Sequence, residues 1–189
     1  MTSHYIDIRV LPDPETTAPQ LLGALYDRLH LALVQQRRND LGVSFPGYSL
    51  APRAMGSVLR LHGTADALGR FLQQDWLKGL RSHVRLSEIT PVPAGAGHRC
   101  VHRRQFKTSA ERLRRRRMRR KGETAEQAQQ AIPLTVERRP DLPYLQLRSH
   151  STGQPAFCLF IALGPLQQTA TTGTFNSHGL SSNSTIPWF

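Results

Sequence analysis

The chain has 189 residues, 39% hydrophobic and 20% charged, with 25 Lys and Arg against 13 Asp and Glu for a net charge of +12. That content suits one large or two small packed domains and excludes a disordered chain. No apolar run approaches membrane-spanning length, no signal-peptide pattern opens the sequence, and two cysteines, Cys100 and Cys158, make no disulfide framework, so a cytoplasmic protein is expected.

Tyr5 to Leu11 alternates, with Ile6, Ile8 and Val10 on one face and Asp7 and Arg9 on the other, the period of a half-buried strand. From Thr17 to about Gln36, Leu22, Leu25, Leu29, Ala32 and Leu33 recur at three- and four-residue steps behind Pro19, which predicts a long amphipathic helix. Gly42 to Phe45 and Ser57 to His62 read as short strands on either side of a Pro- and Gly-containing loop. Thr64 caps a predicted helix whose apolar stripe is Leu68, Phe71, Leu72, Trp76, Leu77 and Leu80, and Val84 to Ile89 supplies a further strand. Strand, helix, strand, strand, helix, strand is the βαββαβ order of a ferredoxin-like unit, so the fold class is α+β with that unit over residues 1–90.

Residues 91–97, with Pro91, Pro93, Gly95 and Gly97, break every periodicity and read as a linker to a second region, 98–189. Charge is concentrated at its start. Between Arg99 and Lys121 lie 12 of the 25 basic residues and a single acid, Glu111, so this segment carries +11 of the net +12. Thr108 and Glu111 have capping-box spacing, which starts a helix at Ser109 that runs to Lys121 and stops at Gly122. Arg112, Arg116, Arg119 and Arg120 share one face of it, with Arg115 beside them. Such a helix repels itself unless a polyanion is near, and guanidinium groups suit phosphate and guanine, which points to nucleic acid. A second box, Thr124 to Gln127, opens a short helix that closes at Pro133. Tyr144 to Arg148 and Phe157 to Leu163 read as strands. After Gly164 the Thr-, Ser-, Gly- and Asn-rich composition reads as a flexible tail, against which the terminal Pro187-Trp188-Phe189 argues for docking on the core.

No glycine-rich phosphate loop, paired-carboxylate motif or His-Glu-x-x-His is present. His98-x-Cys100-x-His102 has three metal-ligand types on alternate positions but no fourth partner, and a basic strand explains it better. His30, at the edge of the first helix's apolar stripe and on the side of Tyr26, is either an ordinary edge residue or an acid-base group able to move a proton at a 2′-OH or a departing 5′ oxygen of RNA without a metal. Leu147-Arg148-Ser149-His150-Ser151-Thr152-Gly153-Gln154 offers two serines where a strand enters a turn, chemistry that turns use on their own account and that a reacting hydroxyl could also use.

Taken in order, several segments resemble one family: His4-Tyr5-Ile6-Asp7-Ile8-Arg9 with Pro12-Asp13-Pro14-Glu15, Leu29-His30, Gly42-Val43-Ser44-Phe45-Pro46, Glu111-Arg112-Leu113-Arg114-Arg115-Arg116 with Met118-Arg119-Arg120, Leu147-Arg148-Ser149 with Ser151-Thr152-Gly153-Gln154, Gly164-Pro165-Leu166-Gln167, Gly179-Leu180-Ser181 and Pro187-Trp188-Phe189. These are similar to the type I-F CRISPR endoribonucleases that process CRISPR precursor RNA. The resemblance implies a metal-independent endonuclease without a cofactor, monomeric when isolated, that binds the repeat RNA hairpin, cuts at its base by 2′-OH attack to leave a 2′,3′-cyclic phosphate, and stays on the crRNA with the other subunits of the type I-F surveillance complex. By the same likeness His30 is the catalytic histidine, Ser149 positions the 2′-OH, and Ser151 supports it. Arg103 and Gln105 read bases low in the stem. Arg112, Arg115, Arg116, Arg119 and Arg120 contact phosphates or a groove base, and Phe157, reached after one inserted residue, stacks under the closing pair. In Phe175-Asn176-Ser177-His178-Gly179-Leu180 the chain departs from the family's Phe-x-x-Tyr-Gly-Leu. His178 either orients the ribose or His30 as the tyrosine would, or shares proton transfer.

Three other readings compete. A non-catalytic hairpin-binding subunit would use the same helix. A DNA-binding regulator is disfavoured because nothing pairs the basic helix into a helix-turn-helix. A single-strand reader on the sheet lacks the aromatic signature of that module.

Overall fold

The computed structural model describes residues 2–106, 109–137, 141–148 and 157–189. In chain order the elements are β1 (His4–Val10), α1 (Ala18–Gln35), β2 (Gly42–Ser44), β3 (Ser49–Leu50), β4 (Arg53–Ala54), β5 (Val58–Gly63), α2 (Ala65–Leu72), β6 (Val84–Leu86), β7 (Thr90–Pro91), β8 (Gly97–Arg99), β9 (Val101–Arg104), α3 (Ala110–Lys121), α4 (Ala125–Ala131), β10 (Tyr144–Leu147), β11 (Phe157–Leu163) and β12 (Ile186–Trp188). They form two compact units, Met1–Arg103 with Leu142–Phe189, and Arg104–Asp141. No helix among the described residues is long and apolar enough to cross a membrane.

In the larger unit the sheet order is β2-β5-β1-β6, every neighbouring pair antiparallel. Interleaving the two βαβ halves in this way is the ferredoxin-like arrangement expected from the element order. The alternation of β1 explains its orientation, because Ile6, Ile8 and Val10 are buried with Leu59 and Leu61 of β5 against Leu22, Leu25, Leu29 and Leu33 of α1 and Leu68 and Phe71 of α2. Truncating one such fully buried leucine costs about 2–5 kcal/mol. Helix α1 begins where Gln20 Oε1 accepts the Thr17 backbone N–H at 3.0 Å and its hydroxyl at 2.7 Å.

The opposite face of this sheet is covered over β2 and β5, and β5 is buried at all six positions. The cover is the chain's own end. Phe175 and Ile186 lie on β2 so closely that a Cβ on Gly42 would meet them at 2.8 and 2.5 Å. Strand β12 pairs antiparallel with β8. The stretch after Gly164 is therefore docked: its polar residues are turns and its sparse apolar ones, Phe175, Leu180 and Ile186, are anchors. Composition averaged over the stretch hides this.

Helix α2 is shorter than its stripe suggested. It ends at Leu72, and Trp76, Leu77 and Leu80 follow in turns, where Lys78 N–H donates to Asp75 O and Leu80 N–H to Leu77 O. Gly79 lies at φ 81°, outside any right-handed helix. Trp76 and Leu77 are buried all the same, so turns here mimic helical spacing. The segment read as a linker starts with β7, which pairs with β1 at His4 and Tyr5.

In the smaller unit Ser109 caps α3, its Oγ accepting the Arg112 N–H at 3.2 Å. Thr108, the capping residue expected from spacing, lies outside the described residues. Gly122 ends the helix at φ 67°, as glycine does without penalty. The Thr124–Gln127 box opens α4 as expected.

Candidate active site and nucleic-acid interface

Helix α1 places His30 one turn beyond Tyr26 and Asp27. Its half-buried ring stacks on His178, with centroids 3.8 Å apart and planes 5° from parallel. His30 Nδ1–H donates to the Ser177 carbonyl at 2.7 Å, because a carbonyl can only accept. In the neutral ring this leaves Nε2 as the basic nitrogen.

The loop that brings His178 here is built by Asn176. Its Oδ1 accepts the N–H groups of His178 and Leu180, at 2.9 and 3.1 Å. Gly179 then turns at φ 70°, and a Cβ there would sit 2.3 Å from Val43 Cγ2. Its carbonyl accepts the Val43 N–H at 2.9 Å. Tyr26 OH donates to the His178 carbonyl at 2.7 Å, and burial raises the phenol's proton affinity, so it stays a donor. The same loop thus receives bonds from both Tyr26 and His30, on one face of α1. For His178 itself, burial, followed by the neighbouring His30 and then Arg103, lowers the pKa from 6.5 to about 4. Its ring is neutral near pH 7.

Strand β10 packs against the same face of α1, at Gly23 and Asp27. Gly23 permits this, since a Cβ there would sit 2.4 Å from Gln146 O. Arg148 N–H donates to Asp27 Oδ2 at 2.9 Å, one helical turn from His30. Ser149 and Ser151 lie outside the described residues. Arg103, exposed on β9, has its guanidinium 6.0 Å from the Phe157 ring centroid. A break at Cys100 puts His98 on β8 and His102 on β9, strands of different sheets.

In the smaller unit Gln105 is exposed, and Arg112, Arg115, Arg116, Arg119 and Arg120 are exposed on one face of α3. The other side is used internally. Arg114 Nε donates to Ile132 O at 2.8 Å, and Arg117 grips Glu123 with Nε and Nη2 at 2.5 and 3.0 Å. Glu137 Oε1 accepts the Ala110 N–H at 2.7 Å. Among the described residues Arg115 alone of this exposed set makes an ion pair, a loose 3.3 Å contact to Glu111 in solvent, worth little. An arginine face left open while the remaining arginines of α3 are tied down has chemistry that suits phosphate.

Sequence reasoning reached His30 and His178 separately, but not the Ser177 carbonyl, the Asn176 turn, the Tyr26 hydroxyl or the Asp27 anchor that organise them. Asn176 followed by Gly179 was a readable turn signal. Asp27 and Tyr26 gave none beyond helical spacing from His30.

The sequence profile of the CRISPR-associated protein (Cas_Csy4) family matches residues 5–189. A protein of Pseudomonas aeruginosa named CRISPR-associated endonuclease Cas6/Csy4 is 48% identical over 186 residues, covering 98% of this chain and 99% of its own. One of the same name from Escherichia coli is 44% identical over 186 residues, with the same coverage.

Proposed function

The chain belongs to the CRISPR-associated Cas_Csy4 family, and from that premise we propose that it is an endoribonuclease that processes CRISPR precursor RNA. It recognises the repeat hairpin, cuts at its base without a metal, and remains on the mature crRNA as a subunit of the type I-F complex in the cytoplasm. The observation that carries this reading is the fixed His30 ring, with Nδ1–H committed to the Ser177 carbonyl and Nε2 left for proton transfer.

In the reaction the 2′ oxygen forms a bond to the adjacent phosphorus and the bond to the 5′ oxygen breaks, giving a 2′,3′-cyclic phosphate and a 5′-OH. His30 either takes the 2′-OH proton or, as imidazolium, gives one to the leaving 5′ oxygen. Ser149, with Ser151 beside it, holds the 2′-OH in line; the tie between Arg148 and Asp27, next to His30, favours that role. His178 keeps the His30 ring in place or shares the proton. Arg103 and Gln105 read guanine and adenine edges, and Phe157 stacks under the closing base pair. Arg112, Arg115, Arg116, Arg119 and Arg120 grip the hairpin backbone. Duplex RNA's major groove is too narrow for such a helix unless the hairpin is short and open-ended, which defines the substrate.

A labelled repeat hairpin incubated with the protein in EDTA tests the reading. Cleavage is expected. Binding without cleavage would make the chain a non-catalytic hairpin-binding subunit.

A further inference from the structure

On the sheet face turned away from α1 and α2, Arg9 of β1 stands directly opposite Arg85 of β6. Both are exposed, while their neighbours Ile8, Val10 and Val84 are in the core. Directly opposed residues of antiparallel strands point to the same side, and like charges in that position destabilise a sheet. Neither arginine makes an ion pair among the described residues. The nearest carboxylate on that face of β1 is already committed: Asp7 accepts from Arg60 Nε and Nη2 at 2.6 and 2.9 Å. Arg60 in turn lies 4.5 Å from the Tyr5 ring centroid and 4.2 Å from that of Phe189, and Nη1 donates to the Phe189 carbonyl oxygen at 3.4 Å. This socket fixes the terminal phenyl ring, yet 42% of Phe189 stays exposed. Arg60 and Arg9 occupy diagonal positions, roughly 7–8 Å apart on neighbouring strands.

We propose that this face is a second RNA site, which takes single-stranded RNA with Arg9 and Arg85 on its phosphodiesters and the Phe189 ring stacked on a base. Phosphate is the anion that two adjacent guanidinium groups suit best. An exposed, rigidly held aromatic ring on the same face, seated over Arg60, adds what an acidic peptide cannot use and an unpaired base can. The site lies across the sheet from α1 and its His30. It rests on the RNA reading above only for the choice of ligand, and its occupant is the unpaired RNA flanking a hairpin.

The test titrates the full chain with an oligouridylate of about 15 nucleotides, near the upper end of single-strand site sizes, at several salt concentrations. Arg9→Thr/Arg85→Thr should bind it about five- to tenfold more weakly, with a salt slope shallower by about 1.4, two phosphates at about 0.7 each. Arg85→Thr alone should give about half that slope change. Thiouridine in the strand should cross-link to the peptide containing Phe189. The double variant's melting temperature should be unchanged or higher, because a like-charge pair has been relieved. Unchanged affinity and slope in the double variant overturn the proposal, as does equal competition by polyglutamate. A hairpin without single-stranded arms separates the two readings: hairpin cutting with an indifferent double variant sinks this site alone, and an arginine-dependent slope without hairpin binding sinks the endonuclease reading alone.

Discussion

The imidazole of His30 lies flat against that of His178, 3.8 Å away, while its Nδ1–H is held by the carbonyl of the residue just before His178. One short loop therefore fixes both the plane and the tautomer of the ring. Two imidazolium ions at that separation would repel by roughly 1 kcal/mol in bulk water and roughly 4 kcal/mol at an effective dielectric of about 20. The doubly protonated stack is disfavoured.

If His30 moves the proton and the arginine face supplies affinity, the two functions separate. His30→Ala should abolish cleavage and leave hairpin affinity within a few-fold, as read by gel shift beside a cleavage time course. A large binding loss with an intact circular-dichroism spectrum would make His30 structural.

The His178 loop depends on Gly179, which combines φ 70° with a Cβ position 2.3 Å from Val43 Cγ2. Gly179→Ala should cost about 1–3 kcal/mol of stability from strain and overpacking. It should also lower the cleavage rate more than Gly69→Ala, where an added Cβ meets nothing within 4 Å. Equal rates in the two variants would show that the loop's position is irrelevant to the reaction.

Stability should respond to the buried neutral histidines. The pKa of His178 falls from 6.5 to about 4, first through burial. Above pH 6.5 neither state is protonated there and the contribution is complete. Between pH 6.5 and 4 the unfolded chain takes up a proton that the folded chain refuses, so stability declines as pH falls. His178→Tyr should flatten the urea-midpoint profile across that window. A residual slope should remain from His62, which burial lowers to about 3. Superimposable profiles would contradict the burial of His178.

How far the sequence foretold this molecule depends on whether the information was local. The alternation of Ile6, Ile8 and Val10 and the stripe of α1 stated their own burial, because strand and helix periods are properties of the chain itself. The identity of the open arginine face was equally local. The stripe through Trp76 and Leu80 misled because turns can bury residues at the same intervals as a helix. The stretch after Gly164 was illegible because its structure comes from the sheet beneath it, through Phe175 and Ile186 on Gly42 and the bond from Val43 N–H to Gly179 O. For the same reason nothing near His30 announced that Ser177 would be its partner.

The arginines of α3 should divide by partner. Arg119 is exposed, so Arg119→Ala should lower the salt slope of hairpin binding by roughly one unit if it neutralises one phosphate. Arg117 is held by Glu123, so Arg117→Ala should leave the slope unchanged and speed amide exchange across Ala110–Lys121 and Ala125–Ala131. Arg103→Ala should instead relax discrimination at one base pair, costing about 1–3 kcal/mol. Equal losses in all three variants, for every stem sequence, would erase the division into readers, clamps and braces.

The chemistry itself is tested at one atom. If the nucleophile is the 2′ oxygen, deoxyribose at the single position upstream of the cut should stop cleavage, because no other group there can attack the phosphorus. Binding should barely change, since the proposed phosphate and base contacts do not involve that hydroxyl. EDTA should leave the wild-type rate unaltered. His178→Ala should slow the reaction less than His30→Ala if the second ring only holds the first, and comparably if the two divide the acid and base roles. The product should carry a 2′,3′-cyclic phosphate detectable by mass spectrometry. A plain 3′ hydroxyl, or cutting of the deoxy substrate, would mean that water attacks and that the His30 geometry serves something else.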